Sequence, residues 1–184
     1  MEGRGGRPIL IFLWVAGEHE LDPEAAGDHV DALFRVACAI CGSRAVAEDL
    51  VQETYVKVLS KPRIIRRDDD LGYLVKALRN TWYSHLRDER TERASTAHGV
   101  EDVDELPASA SSGARGDPQR SLEASAVLDA VSSLSEPYRE AVAAVDVAGL
   151  SYSEAARALG VREGTVMSRL YRGREQVARA VGPR

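Results

Sequence analysis

Between residues 28 and 41 the apolar side chains recur at spacings of three and four. Val30, Leu33, Phe34, Ala37, Ile40 and Cys41 fall on one side of a 3.6-residue period. The spacing predicts a helix from about Asp28 to Cys41, stopped by Gly42. A second helix is predicted from about Ala45 to Leu59, ending before Pro62. Its apolar face is Ala47, Leu50, Val51, Thr54 and Val58, and Asp49, Gln52, Glu53 and Val56 point the opposite way. A third runs from about Leu71 to Arg90. Leu71, Leu74, Val75, Leu78, Trp82 and Leu86 form its buried stripe. Lys76, Asn80, Tyr83, Ser84 and Arg87 form the other face, flanked by Arg79 and Arg90.

The periodicity then lapses. Residues 94–120 are rich in Ala, Ser, Gly, Pro and acid and lack a sustained apolar repeat, as expected of a flexible linker. Helical spacing resumes at about Leu122–Ser133 and again at Glu136–Val147, where Pro137 suits a first helical turn. Ser151 and Glu154 have the spacing of a capping box, which starts another helix. Gly160 closes it, and a last helix covers about Arg162–Ala180. Strand-like alternation of useful length is absent from the pattern, and no internal repeat is evident. The expectation is an all-α chain of two small helical domains joined by a flexible linker. The predicted boundaries are an N-terminal arm (1–27), a first domain (28–93), the linker (94–120) and a second domain (121–181).

Composition agrees: 184 residues, 44% of them apolar but only 5% aromatic, suit Ala-, Leu- and Val-rich helices. Charge changes the picture. The net charge of −5 argues against uniform nucleic-acid binding, yet residues 61–93 hold nine basic against six acidic side chains, and residues 151–184 hold seven against three. Two basic blocks between acidic ones predict two local contacts with a polyanion. Cys38 and Cys41 are too few for a disulfide framework, so the chain reads as cytoplasmic. Their C-x-x-C spacing could serve redox or metal chemistry, but no second pair follows, and Cys41 reads as a small core residue. The apolar run Ile9–Ala16 follows Arg4 and Arg7 as in a signal peptide, but it is too short to span a bilayer and no cleavage pattern follows. It is expected to pack on the first domain or to remain a loose arm.

No catalytic chemistry can be assembled. His19, His29, His85 and His98 are scattered, and neither a phosphate-binding Gly loop nor a nucleophile–base pair is present. No catalytic residue, metal or cofactor is expected. The two helices around Gly160 have helix-turn-helix spacing. An ordinary helical hairpin has the same spacing, but the charge pattern favours DNA. On the last helix Val166, Leu170, Gly173 and Val177 share one face, and Gly164, Ser168, Tyr171 and Arg172 share the other. Arginine can pair with guanine, serine with base edge or phosphate, and tyrosine with phosphate or a base face. Arg162, Arg169 and Arg174 flank this face as phosphate candidates. In the first domain, Asn80 and Tyr83 lie among Lys76, Arg79 and Arg87. Such interleaving suits single-stranded bases, held by stacking while cations track the backbone.

Three segments carry a family resemblance: "AEDLVQETYVKVL" (Ala47–Leu59), "GYLVKALRNTWYSHLRDERTER" (Gly72–Arg93) and "LSEPYREAVAAVDVAGLSYSEAARALGVREGTVMSRLYRGREQV" (Leu134–Val177). Together they resemble the extracytoplasmic-function (ECF) sigma factors of bacterial RNA polymerase, over about residues 28–93 and 121–181. The resemblance implies sigma region 2 in the first domain and sigma region 4, with its helix-turn-helix, in the second. It implies that Asp49, Gln52 and Glu53 dock on the clamp helices of the largest polymerase subunit. It implies that Pro62–Leu71 and Asn80, with Lys76, Arg79, Tyr83 and Arg87 around them, meet the minus-ten element. It implies that the last helix reads the minus-thirty-five element through Arg162, Gly164, Thr165, Met167, Ser168, Tyr171, Arg172 and Arg174. The implied partners are core RNA polymerase, promoter DNA and an anti-sigma factor, with neither membrane insertion nor obligate homo-oligomerisation. This chain departs from the family at Met167, where a basic residue is frequent, and at Arg162, where Pro or a small residue is frequent. Its loop "PRIIRRDDDL" is unusually charged, and the short helix that opens the family's first domain is not recognisable. The alternative reading is a helix-turn-helix regulator that is not a polymerase subunit. It leaves the Asp49/Gln52/Glu53 face unexplained and lacks a visible dimerisation surface.

Overall fold

The computed structural model describes residues 18–66, 69–96 and 126–182. Strand β1 (Glu18–Glu20) leads into a short helix α1 (Pro23–Gly27), capped by the Asp22 carboxylate, which accepts from the Glu24 amide at 3.1 Å. Helices α2 (Val30–Cys41) and α3 (Arg44–Leu59) follow, then strand β2 (Ile64–Arg66) and the long helix α4 (Asp70–Thr96). In the second half a helix over 126–132, here α5, precedes α6 (Glu136–Val142). A π-helical segment (Ala143–Val147) continues α6, with Ala148 N–H bonding back to Ala143 C=O at 2.9 Å. Helices α7 (Tyr152–Leu159) and α8 (Glu163–Val181) complete the chain.

Most of the periodic residues fall where their spacing put them, but Val30, expected on the core face of the first helix, is 42% exposed because it stands at the first position of α2, and Leu71, Trp82 and Leu86 are only half-buried. Leu33, Leu50, Leu74 and Leu78 are fully buried in the first half, and Val131, Val166 and Leu170 in the second. Each such side chain contributes roughly 1.5–3 kcal/mol relative to exposure. Thr54 joins the α3 core face because its hydroxyl donates to the Leu50 carbonyl at 2.7 Å, so this buried hydroxyl is paired. Helix α2 packs on α3, α3 on α4, and both α6 and α7 on α8. The halves also pack on each other, α2 against the π segment and α4 against α7, and one continuous set of buried residues runs through both. At the end of α2, Gly42 takes a left-handed φ of 70°, and a side chain there would begin 3.2 Å from Ser132 of the other half.

Three expectations are corrected. Two strands exist: β1 and β2 pair antiparallel, with His19 opposite Ile65, and the pair continues as Leu21 N–H bonds Arg63 C=O at 2.8 Å. At three residues each they are too short to show alternation in sequence. Residues 18–27, read as part of an arm, form β1 and α1 against the first half, and the Tyr55 hydroxyl of α3 donates to the Ala26 carbonyl at 2.7 Å. Helix α4 runs to Thr96, past the expected boundary at Arg93. The arm Ile9–Ala16 and the remainder of the expected linker (97–120) lie outside the described residues, as do residues 122–125 of the expected Leu122–Ser133 helix. Both cysteines are free and half-buried. Burial pushes the Cys38 thiol up to about 11 and raises that of Cys41, so neither is a ready nucleophile. No helix among the described residues is long and apolar enough to cross a membrane, and among them no group of His, Cys, Asp and Glu could hold a metal ion.

Candidate nucleic-acid and polymerase interfaces

Asp49 and Gln52 stand exposed on α3, and Val56, 69% exposed, lies one turn further on the same side. Glu53 is different. Its carboxylate pairs with Lys57 one turn away at 2.5 Å and with the His85 ring of α4. The Lys57 bond, helped by the His85 contact and opposed by burial, holds its pKa below the usual carboxylate value. Glu53 therefore joins α3 to α4 as well as lying beside Asp49. His85 was not legible as its partner: 32 positions separate them, and neither residue belongs to a local motif.

On α4 the predicted residues divide. Lys76, Asn80 and Arg87 are exposed. Arg79 and Tyr83 are not, because the second half covers them. Glu140 of α6, only 4% exposed, accepts from the Arg79 guanidinium and, at 2.7 Å, from the Tyr83 hydroxyl. The guanidinium also lies over the Tyr83 ring, 4.9 Å from its centroid. Burial, reinforced by hydrogen bonding to Glu140 and Glu136, raises the Tyr83 pKa well above that of an ordinary phenol. Burial disfavours the Arg79 cation, but the Glu140 carboxylate outweighs it, and the pKa of Arg79 is raised. At the start of α4, Asp70 pairs with His19 of β1 at 3.1 Å, and Asp69 in the loop just before it pairs with Arg157 of α7 at 2.9 Å.

The helix-turn-helix is formed by α7 and α8. Ser151 caps α7 in a full capping box: its amide donates to Glu154 Oε2 at 2.7 Å, and its hydroxyl accepts from the Glu154 amide at 3.3 Å. Gly160 ends α7 with φ 68°, a conformation in which other residues are strained, and this turns the chain into α8. Val166, Leu170 and Gly173 face the core, so the opposite side of α8 faces outward. Arg162, Gly164, Met167, Ser168, Tyr171 and Arg172 are exposed, with Met167 at 51% and Tyr171 at 72%; Thr165 is half-buried. The Ser168 hydroxyl bonds its own helix at the Thr165 carbonyl, 3.0 Å away, and Arg172 reaches the Tyr138 hydroxyl at 3.4 Å. Arg174 is engaged elsewhere. Its fork grips both Asp146 oxygens, at 3.0 and 2.6 Å, which neutralises part of the charge expected for phosphate.

The arrangement can present one helix to a groove and a second, mixed polar and aromatic helix to a strand. Residues 26–92 match the description Sigma-70 region 2, and residues 124–177 match Sigma-70, region 4. The chain is 33% identical over 156 residues to the protein named ECF RNA polymerase sigma factor SigE of Mycolicibacterium smegmatis. That match covers 84% of this chain, which spans only about three fifths (59%) of the relative's length. It is 31% identical over 150 residues to the ECF RNA polymerase sigma factor EcfG of Rhodopseudomonas palustris, covering 81% of this chain and 78% of that one. Among solved structures, the sigma factor RpoE of Bartonella quintana, in complex with the anti-sigma factor NepR, is similar with a TM-score of 0.63 and 29% identity, over 86% of this chain and 94% of that chain.

Proposed function

The chain belongs to the extracytoplasmic-function sigma factors, with sigma-70 regions 2 and 4 in one polypeptide, and from that premise we propose that it binds bacterial core RNA polymerase, directs it to specific promoters and helps open the minus-ten element. It does so in the cytoplasm, without catalysis or a cofactor of its own. Residues 28–93 act as region 2 and residues 121–181 as region 4. Asp49 and Gln52, with Glu53 beside them, dock on polymerase. Lys76, Asn80 and Arg87, joined by Arg79 and Tyr83 once these are uncovered, hold the minus-ten strand. The outward face of α8 reads the minus-thirty-five element: Arg172 and Ser168 can bond base edges, Met167 offers only apolar contact, and Arg162 suits phosphate. An anti-sigma factor is a further partner on this reading, since the similar RpoE was solved with one.

The observation that carries the reading most is the outward face of α8. Gly164, Met167, Ser168, Tyr171 and Arg172 are exposed on one side of a capped helix-turn-helix whose other side is core. A test is co-purification with core polymerase lacking sigma, compared for wild type and Asp49→Lys. Asp49 is exposed, so the variant should melt within about 0.5 kcal/mol of wild type, yet it should lose core binding. Wild-type protein that does not bind core would refute the polymerase role. Equal binding by the variant would refute the docking assignment.

A further inference from the structure

The outward face of α8 has two unlike edges. Ser168 and Arg172, with their hydrogen-bonding groups, lie toward one. Met167 lies at the other, with Gly164 one turn before it and Tyr171 one turn after. Met167 is 51% exposed and Tyr171 72%. A thioether has no donor, and its sulfur is only a weak acceptor. A single exposed apolar side chain is ordinary, but these two share one edge of a face that the fold turns outward. Nor is that edge cationic: Arg174, two turns beyond Met167 on the same side, is tied to both Asp146 oxygens at 3.0 and 2.6 Å. The space before Met167 is open as well, because a side chain begun at Gly164 would meet nothing within 4 Å.

Helical side chains lean toward the N-terminus of their own helix. Met167 is thus directed over the open turn at Gly164, and the N-terminal part of a recognition helix is the part that meets base edges. An apolar group finds few partners there. In the major groove guanine, adenine and cytosine are told apart by donors and acceptors, whereas thymine adds a C5-methyl group. That methyl is the outermost group of its base pair, toward the backbone of its own strand. It therefore lies against an edge of an inserted helix rather than under its centre. Resting on the promoter role of α8, we propose that Met167 is the receptor for a thymine methyl group in the upstream element. The chain then selects thymine at one position of that element through the methyl, and Met167 makes no hydrogen bond to the base.

The test uses core polymerase with full-length wild type, Met167→Ala or Met167→Leu, and the duplex promoter that wild type selects from a randomised library. Each thymine of the upstream block, on either strand, is replaced in turn by deoxyuridine, which lacks only the methyl. Affinity is read by competition against the labelled parent promoter. At the sensitive position, cytosine and 5-methylcytosine, each opposite guanine, are then compared. One uracil should weaken wild-type binding about fourfold, as expected for burial of one methyl group. 5-Methylcytosine should bind better than cytosine by about the same ratio. Met167→Ala should be indifferent to the methyl in both pairs, and Met167→Leu, still apolar, should keep the dependence. Met167 is exposed, so the three proteins should fold alike, which circular dichroism checks. Indifference of wild type to every uracil, or undiminished sensitivity in Met167→Ala, would overturn the proposal and leave the promoter role standing. Failure of wild type to select any upstream block would remove the promoter role of α8, and the methyl receptor with it.

Discussion

Gly173→Ala places one methyl group where α8 crosses α6. The new carbon would lie 2.7 Å from a Val142 methyl, 3.3 Å from the Tyr138 carbonyl oxygen and 3.5 Å from the Tyr138 Cβ. Val142 is 4% exposed, and the carbonyl belongs to backbone, so neither neighbour yields without moving the helix. Overpacking of this kind costs about 1–3 kcal/mol. Against it stands the gain from replacing a mid-helix glycine by alanine, about 1 kcal/mol. The overpacking should win by roughly 1 kcal/mol. For a chain of 184 residues with one continuous core that corresponds to a fall of about 2–4 °C in melting temperature. Gly164→Ala is the matched control: the same helix receives the same methyl, but nothing lies within 4 Å of it. It should melt at or slightly above wild type. Thermal unfolding followed by circular dichroism on the full chain measures both. A Gly173→Ala protein as stable as the Gly164→Ala protein would show that α6 and α8 do not pack as closely as described.

Ser151→Ala removes the side-chain acceptor of the α7 capping box and should cost about 1 kcal/mol of stability, read from the midpoint in urea; an unchanged midpoint would exclude the box as a stabilising element. The pKa of Glu53 is lowered in the folded chain, chiefly by Lys57 and then His85. Its stabilisation is therefore fully present above the ordinary carboxylate value near 4.5 and is lost as pH falls through the lower folded value; Glu53→Gln should flatten that acid limb of melting temperature against pH, and an identical limb would refute the linkage. Arg174 is held by Asp146, so Asp146→Asn should free it and tighten duplex binding with a steeper salt dependence, whereas an unchanged slope would mean that Arg174 faces no phosphate.

Much of this fold is written in periodicity. The stripes of α2, α3 and α4 and the core side of α8 each alternate buried and exposed positions strongly enough to be read directly. Local chemistry sets the ends: Gly42 and Gly160 close α2 and α7, and Ser151 with Glu154 opens α7. The features that escape the sequence are those whose cause lies far along the chain. Strands β1 and β2 are three residues each and meet across more than forty positions. The π segment is spelled Ala-Ala-Val-Asp-Val, which has no feature to separate it from the α-helix before it. Tyr83 and Arg79 read as an open face because α4 alone leaves them open; Glu140, about sixty residues on, covers them. Glu53 reads as free for the same reason, with His85 on another helix. Of the candidate site, the outward face of α8 was therefore the most legible part, because its exposure depends only on the helix itself and the core side it turns away from.

If one chain carries two separate promoter readers, a randomised promoter library should reveal both. Core polymerase would be supplied with wild type, Arg172→Ala or Met167→Arg, and the templates that yield transcript sequenced. Wild type should select two blocks of sequence about two helical turns apart. Arg172→Ala should relax one or two positions of the upstream block, since a bidentate arginine–guanine pair supplies about 1–3 kcal/mol of discrimination. Met167→Arg should shift that block by adding donors where only apolar contact existed, and neither variant should alter the downstream block. Transcript that requires no added protein, a selection with a single block, or identical upstream preferences for all three proteins would contradict the two-reader arrangement.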